Sequence, residues 1–178
     1  MGVVGSICGF TLSQWIASYQ FSENLATTKA IEEINLARDL NAEFTSGRDG
    51  ASLFRRIRMA IESCETLYDS NGGHFTNDDI NQYLNFFDNI GYYYKKRVLD
   101  EDIIDQMFGA YMVEAYKSEE LTQYIDGMQH RAGQPNAMAE FQSLAKVLEA
   151  RPDQKQSAQK FETACKRKGA AEVGVILK

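Results

Sequence analysis

A chain of 178 residues, 44% of them hydrophobic, is long enough to bury one core and too short to make two domains the default. Its 19 basic against 25 acidic residues leave a net charge of -6, which excludes broad binding to phosphate backbones, because neutralising phosphates takes clustered cations. Only two prolines, Pro135 and Pro152, interrupt it, both late and after helical spacing nearly everywhere, so an all-α protein is expected.

Residues 1–22 contain no charged side chain. The stretch is just long enough to span a bilayer as a helix, but Ser6, Thr11, Ser13, Gln14, Ser18 and Gln20 make it polar for hydrocarbon. No basic segment precedes it, so a secretory signal is not expected. A membrane-inserted helix and a helix in a core or oligomer contact are ranked equally. The string Met1-Gly2-Val3-Val4-Gly5-Ser6, with Cys8 nearby, also fits a lipidation pattern and ranks third.

From Glu23 to Phe44, Leu25, Ile31, Ile34, Ala37, Leu40 and Phe44 mark a helix with Glu32, Glu33, Arg38 and Asp39 on its wet side. Thr45–Gly50 ends it, with glycines suited to a left-handed cap. Leu53, Phe54, Ile57, Ala60, Ile61, Cys64, Leu67 and Tyr68 then give a clean helical stripe, closed by Asn71-Gly72-Gly73-His74. At Thr76-Asn77-Asp78-Asp79 the threonine oxygen is placed to accept from an amide three residues on, and the acid reinforces the helix start.

Ile80, Tyr83, Leu84, Phe87, Ile90, Gly91 and Tyr94 form the stripe of that helix. Lys95, Lys96 and Arg97 sit where its dipole turns negative, and Asp100-Glu101-Asp102 opens the next helix. Ile103, Ile104, Met107, Phe108, Tyr111, Met112, Ala115 and Tyr116 line the latter, and the short connection predicts an antiparallel pair. Tyr92, Tyr93 and Tyr94 run around the helix, so at least one is expected to be exposed or packed on another segment. A breaker segment, Gln129 to Asn136, leads to a shorter helix through Phe141, Leu144, Ala145 and Leu148. Pro152 separates it from a last helical stretch with Ala158, Phe161 and Cys165.

Residues 151–178 hold seven cations and three acids, so this tail is basic on an acidic body. The favoured reading is a tail lying against that body rather than one reaching for phosphates. Cys8, Cys64 and Cys165 are an odd count with no close pair, so neither a disulfide framework nor a zinc site is expected, and a reducing compartment is the default.

The strings Tyr83-Leu84-Asn85-Phe86-Phe87-Asp88-Asn89-Ile90-Gly91, Val98-Leu99-Asp100-Glu101 and Gly133-Gln134-Pro135-Asn136-Ala137-Met138-Ala139-Glu140-Phe141 together resemble an uncharacterised bacterial helical family, catalogued as domain of unknown function 4760. The resemblance covers residues 23–150. It implies an N-terminal apolar helix, often a membrane anchor, followed by a helix rich in Ala and Thr (here Ala26-Thr27-Thr28-Lys29-Ala30) and by the helix pair. It lends no catalytic residue and no cofactor.

The expected architecture is therefore a single helical bundle of antiparallel hairpins. Residues 1–22 form an extended uncharged helix, 23–150 the helical domain and 151–178 a basic helix and tail. No catalytic, metal or cofactor residue is expected. His74 and His130 fall in loops, and His130 with Arg131 is a candidate anion site at the start of the Pro135 helix. Trp15, Tyr19, Tyr92, Tyr93 and Tyr94 are candidate interface residues. The expected function is a non-enzymatic adaptor or regulatory interaction protein, self-associating or partnered by another protein, in the cytoplasm or tethered to the inner membrane through residues 1–22. Nucleic acid is not an expected partner. The alternatives are a module sensing a small anion or nucleotide, and an enzyme or toxin using Cys64 or the acidic cluster Asp100–Asp105.

Overall fold

The computed structural model describes residues 27–45 and 52–176. The expectations for residues 1–22 and for the cap at Gly47 and Gly50 lie outside what it describes. The first helix, α1, runs over 27–45. Of its side chains Ala37, Leu40 and Phe44 are buried, whereas Ile31 and Ile34 in its first half are more than half exposed. The second half of α1 is thus seated on the body by apolar side chains, the first half by Glu33, whose carboxylate accepts from the Asp100 amide.

Helix α2 (Leu53–Glu62) begins at Ser52, whose hydroxyl accepts from the Arg55 amide at 3.1 Å and donates to the Phe44 carbonyl at 2.6 Å. One buried hydroxyl thus caps α2 and fixes the end of α1 to its start. The helix is shorter than its apolar stripe suggests. It stops in a Schellman motif, with Cys64 left-handed at φ 52°, the Cys64 amide donating to Ile61 O and the Glu65 amide to Ala60 O. Leu67 and Tyr68 remain buried but on non-helical chain, paired with Phe75 across the Gly72-Gly73 loop.

Helix α3 (Asn77–Lys95) starts with the expected capping box. The Thr76 hydroxyl accepts from the Asp79 amide, and the Asp79 carboxylate accepts from the Thr76 amide at 2.9 Å. It ends in a second Schellman motif with Arg97 left-handed, followed by α4 (Glu101–Ile104), capped by the Asp100 side chain. A π turn, Asp105–Gly109, carries α4 straight into α5 (Ala110–Lys117). Ser118 then breaks the chain, and α6 (Glu119–Asp126) leads through a second π turn, Gly127–Arg131. Helices α7 (Ala139–Glu149) and α8 (Pro152–Ile176) complete the described chain. The described residues are overwhelmingly helical with no strand, an all-α bundle.

The largest helix contact is α3 on α7, not α3 on the α4–α5 segment that follows it. Between α3 and α5 lie rings: Phe86 and Phe108 meet edge-on at 5.8 Å, and Phe44 from α1 is inserted among them. Large side chains hold those backbones apart, whereas Gly91 lets α3 and α7 close. A Cβ on Gly91 would stand 2.5 Å from the Glu140 carbonyl group.

Two further findings differ from the sequence reading. Cys64 does not lie on a helical stripe as a free thiol but forms a disulfide with Cys165 in α8, 101 residues away, with the two Cα atoms 5.2 Å apart. Sequence distance hides such a pair, because only the docking of α8 on α5 and α7 brings the two ends together. A reducing compartment as the default rested on unpaired cysteines, and that ground is removed. The second finding concerns the acidic cluster at the start of α4, which is partnered by Arg151. Its guanidinium reaches Glu101 at 3.2 Å, Asp102 at 2.9 Å and Asp105 at 3.0 Å. Asp105 also accepts from the Gln154 side chain at 2.9 Å, in space that a side chain on Gly109 would take.

Candidate functional site

The first half of α1 runs past the turn between α3 and α4. Lys29 and Glu33 share a shallow cleft of about 380 Å³ with Tyr94, Arg97, Leu99 and Asp100. The Glu33 carboxylate accepts from the Asp100 amide, and the Tyr94 hydroxyl donates to Glu101 at 3.2 Å. That hydrogen bond and burial raise the Tyr94 pKa, burial contributing more. On the segments that carry this polar seam, large apolar side chains are exposed among charged ones: Ile31 is 55% exposed, Ile34 53%, Tyr92 48% and Val98 43%. Ile31 and Ile34 thus leave two large apolar side chains of α1 uncovered. Of the expected interface residues, Tyr92 is exposed and Tyr93 and Tyr94 are half-buried, while Trp15 and Tyr19 lie outside the described residues.

A second polar cluster lies between α2, α3 and α5, with Arg58 half-buried and Glu62 exposed at its rim. Arg58 donates to Glu62 at 2.7 Å, and its guanidinium lies 4.0 Å from the Tyr111 ring centroid. Beside them, the buried Tyr83 hydroxyl and Glu114 Oε2 have no hydrogen-bond partner among the described residues. Burial, then the Glu62 carboxylate, raise the Glu114 pKa from 4.5 to about 7, with Arg58 opposing. Burial also raises the Tyr83 hydroxyl, so it stays protonated.

The linkage follows from the sign of that shift. An acid whose folded pKa lies above its unfolded one is held neutral by the fold, so its destabilising effect is absent below about pH 4.5. The effect grows as pH rises to about 7 and is constant above. The shift caps it at about 3 kcal/mol, and partial exposure to solvent reduces it to about 1–2 kcal/mol. Glu114→Gln is accordingly expected to be more stable than the wild type at pH 8 by about 1–2 kcal/mol and equal to it at pH 4. Urea denaturation at the two pH values measures this; a difference that does not change with pH removes Glu114 as the source.

The other sequence-based candidates are placed as follows. His130 is exposed in the second π turn, its Nδ1 3.1 Å from the Asp126 carbonyl. The Arg131 side chain lies outside what is described. At the start of α7 the Phe141 amide donates to Asp88 Oδ1 at 2.9 Å, so a carboxylate from α3 already serves that helix terminus. His74 is exposed, and Cys64 is in its disulfide. Among the described residues no group of His, Cys, Asp and Glu is arranged to hold a metal ion, and no helix is long and apolar enough to cross a membrane. Sequence reasoning missed Asp88 as a cap, Arg151 as the hub of the acidic cluster and Glu114 as a buried carboxyl. An acid within an apolar stripe flags Glu114, but the other two depend on contacts some 50 residues apart.

Two of the three strings that carried the family resemblance, residues 83–91 and 133–141, meet in space. Asp88 caps α7, Phe87 stacks on Phe141 at 6.0 Å, Lys95 pairs with Glu140 at 2.5 Å, and Gly91 lies against the Glu140 backbone. A family model described as a domain of unknown function (DUF4760) matches residues 7–148. No curated protein and no solved structure matches the chain.

Proposed function

The chain belongs to the DUF4760 family, and from the exposed isoleucines of α1 we propose that it is a non-enzymatic interaction protein that pairs with a second copy of itself through α1. The observation that carries the reading is the exposure of Ile31 and Ile34 on a helix whose other half is buried. A two-fold axis passing between these residues sets Ile31 of one copy against Ile34 of the other, a self-complementary contact of the kind symmetric dimers use. The uncharged residues 1–22 lead into α1 and would add either further helix contact or a membrane tether at the same end.

The test is sedimentation of the full chain, of a chain beginning at Glu23, and of the Ile31→Arg, Ile34→Arg double variant of each. Self-association is expected in both parents, with at least a tenfold weakening in the variants, since two buried apolar contacts are replaced by charges. Circular dichroism is expected to be unchanged, because neither residue is buried in the monomer. Parents that remain monomeric, or variants that associate as well as the parents, reject the reading. Membrane fractionation of the full chain but not of the shorter one supports the tether.

A further inference from the structure

Helix α8 is held to the body in two ways. Its first turns are seated by the buried Gln154 and Ala158 and by Arg151 just before it, which engages three carboxylates of the α4 segment. Beyond Ala158 the inward positions recur three and four apart as Phe161, Glu162, Cys165 and Lys168, and all four are only half-buried. Among the described side chains, this second part is held by the half-buried Phe161 at the core edge, a 3.4 Å ion pair between Glu162 and Lys117, a 2.9 Å hydrogen bond from Lys168 Nζ to the Ser63 carbonyl, and the Cys64–Cys165 bond. Partly exposed ion pairs contribute little, so the covalent bond is the dominant tie. Under it lies a cleft of about 410 Å³ lined by Ile61, Leu67 and Phe161, with both cysteines in its wall.

We propose that this disulfide is a thiol-reversible latch on the second half of α8. A thiolate of a dithiol reductant attacks one sulfur and forms a mixed disulfide, releasing the other cysteine as a thiol. The second thiol of the reductant then displaces the first cysteine. Two cysteine thiols result, and the dithiol leaves as its own disulfide. Because both cysteines are half-exposed, a dissolved thiol reaches them without prior unfolding of the body. Freed of the bond, the residues from 162 onward leave the cleft and uncover Ile61 and Leu67, while the stretch through Ala158 stays docked. The switched surface is distinct from the α1 edge, so it stands or falls independently of the self-association reading.

Hydrogen exchange read by mass spectrometry on the full chain, with and without dithiothreitol, tests the latch. On reduction, peptides covering 162–176 are expected to exchange roughly tenfold faster or more, while those of 152–158, α3 and α7 stay protected over the same labelling time. Cys165→Ser without reductant is expected to reproduce the faster exchange, and adding dithiothreitol to Cys64→Ser, Cys165→Ser is expected to change nothing further. The proposal is overturned by unchanged exchange over 162–176 after thiol titration shows full reduction. It is equally overturned by a bond that dithiothreitol does not reduce in the folded protein, or by simultaneous loss of protection in α3 and α7, which would make the bond a staple for the whole fold.

Discussion

Replacing Phe44 with alanine is expected to destabilise the protein by about 3–5 kcal/mol, the range for removing a fully enclosed phenylalanine. The ring is 2% exposed and touches aromatic neighbours from α3, α5 and the π turn between α4 and α5. It stacks on Tyr111 at 5.4 Å, lies 5.4 Å from Phe86 and 5.8 Å from Phe87, and meets Phe108 edge-on at 6.0 Å. Such a cage has no smaller side chain with which to collapse, so the vacated volume stays open and the loss falls at the upper end. Because Phe44 is the largest of the buried side chains of α1, beside Ala37 and Leu40, the variant is also expected to loosen α1 and expose it to proteolysis. Urea denaturation measures the first effect and limited proteolysis the second. A cost below about 1 kcal/mol would show that the ring cluster does not depend on its central member.

Gly91→Ala is the second large effect. In an exposed helix interior the change gains about 1 kcal/mol of propensity, yet here the new methyl group would meet Glu140 backbone atoms at 2.5 Å. A backbone cannot rotate aside as the end of a side chain does, so α3 and α7 must separate. Separation weakens the Phe87–Phe141 stack, the Asp88 cap and the Lys95–Glu140 pair together. Overpacking of this kind costs about 3 kcal/mol, which leaves a net destabilisation of about 2 kcal/mol, and Gly91→Val should lose more. Asn89→Ala, two residues earlier on the exposed face, is the control and is expected to be neutral or slightly stabilising. A thermal midpoint for Gly91→Ala at or above that of the wild type would show that the helices do not approach as closely as described.

How much the chain disclosed on its own varied with the range of the interaction. The Thr76–Asp79 capping box was legible because its partners are three residues apart. The stop after Lys95 was legible from its cations, although the left-handed residue that executes it is Arg97 and not a glycine. The stripe around Leu67 misled, because burial of Leu67 and Tyr68 is the same whether the chain beneath them is helical or extended. Ser118-Glu119-Glu120 carries a readable break signal, a serine before an acidic first turn, and it is there that α5 ends and α6 begins.

Local spacing and capping by themselves determined that the chain is helical, where most helices begin and which faces are apolar, since those choices depend on residues within one or two turns. Tertiary structure alone decided that α3 closes on α7 and that Phe44 fills the gap left beside it. It also decided that Arg151 gathers the acids of α4 and that Cys64 meets Cys165. Each of these joins groups some 50 or more residues apart in sequence or on different helices, and composition carries no record of such distances. Packing settles them, because a glycine at one crossing and a ring at another fix how near two backbones can come.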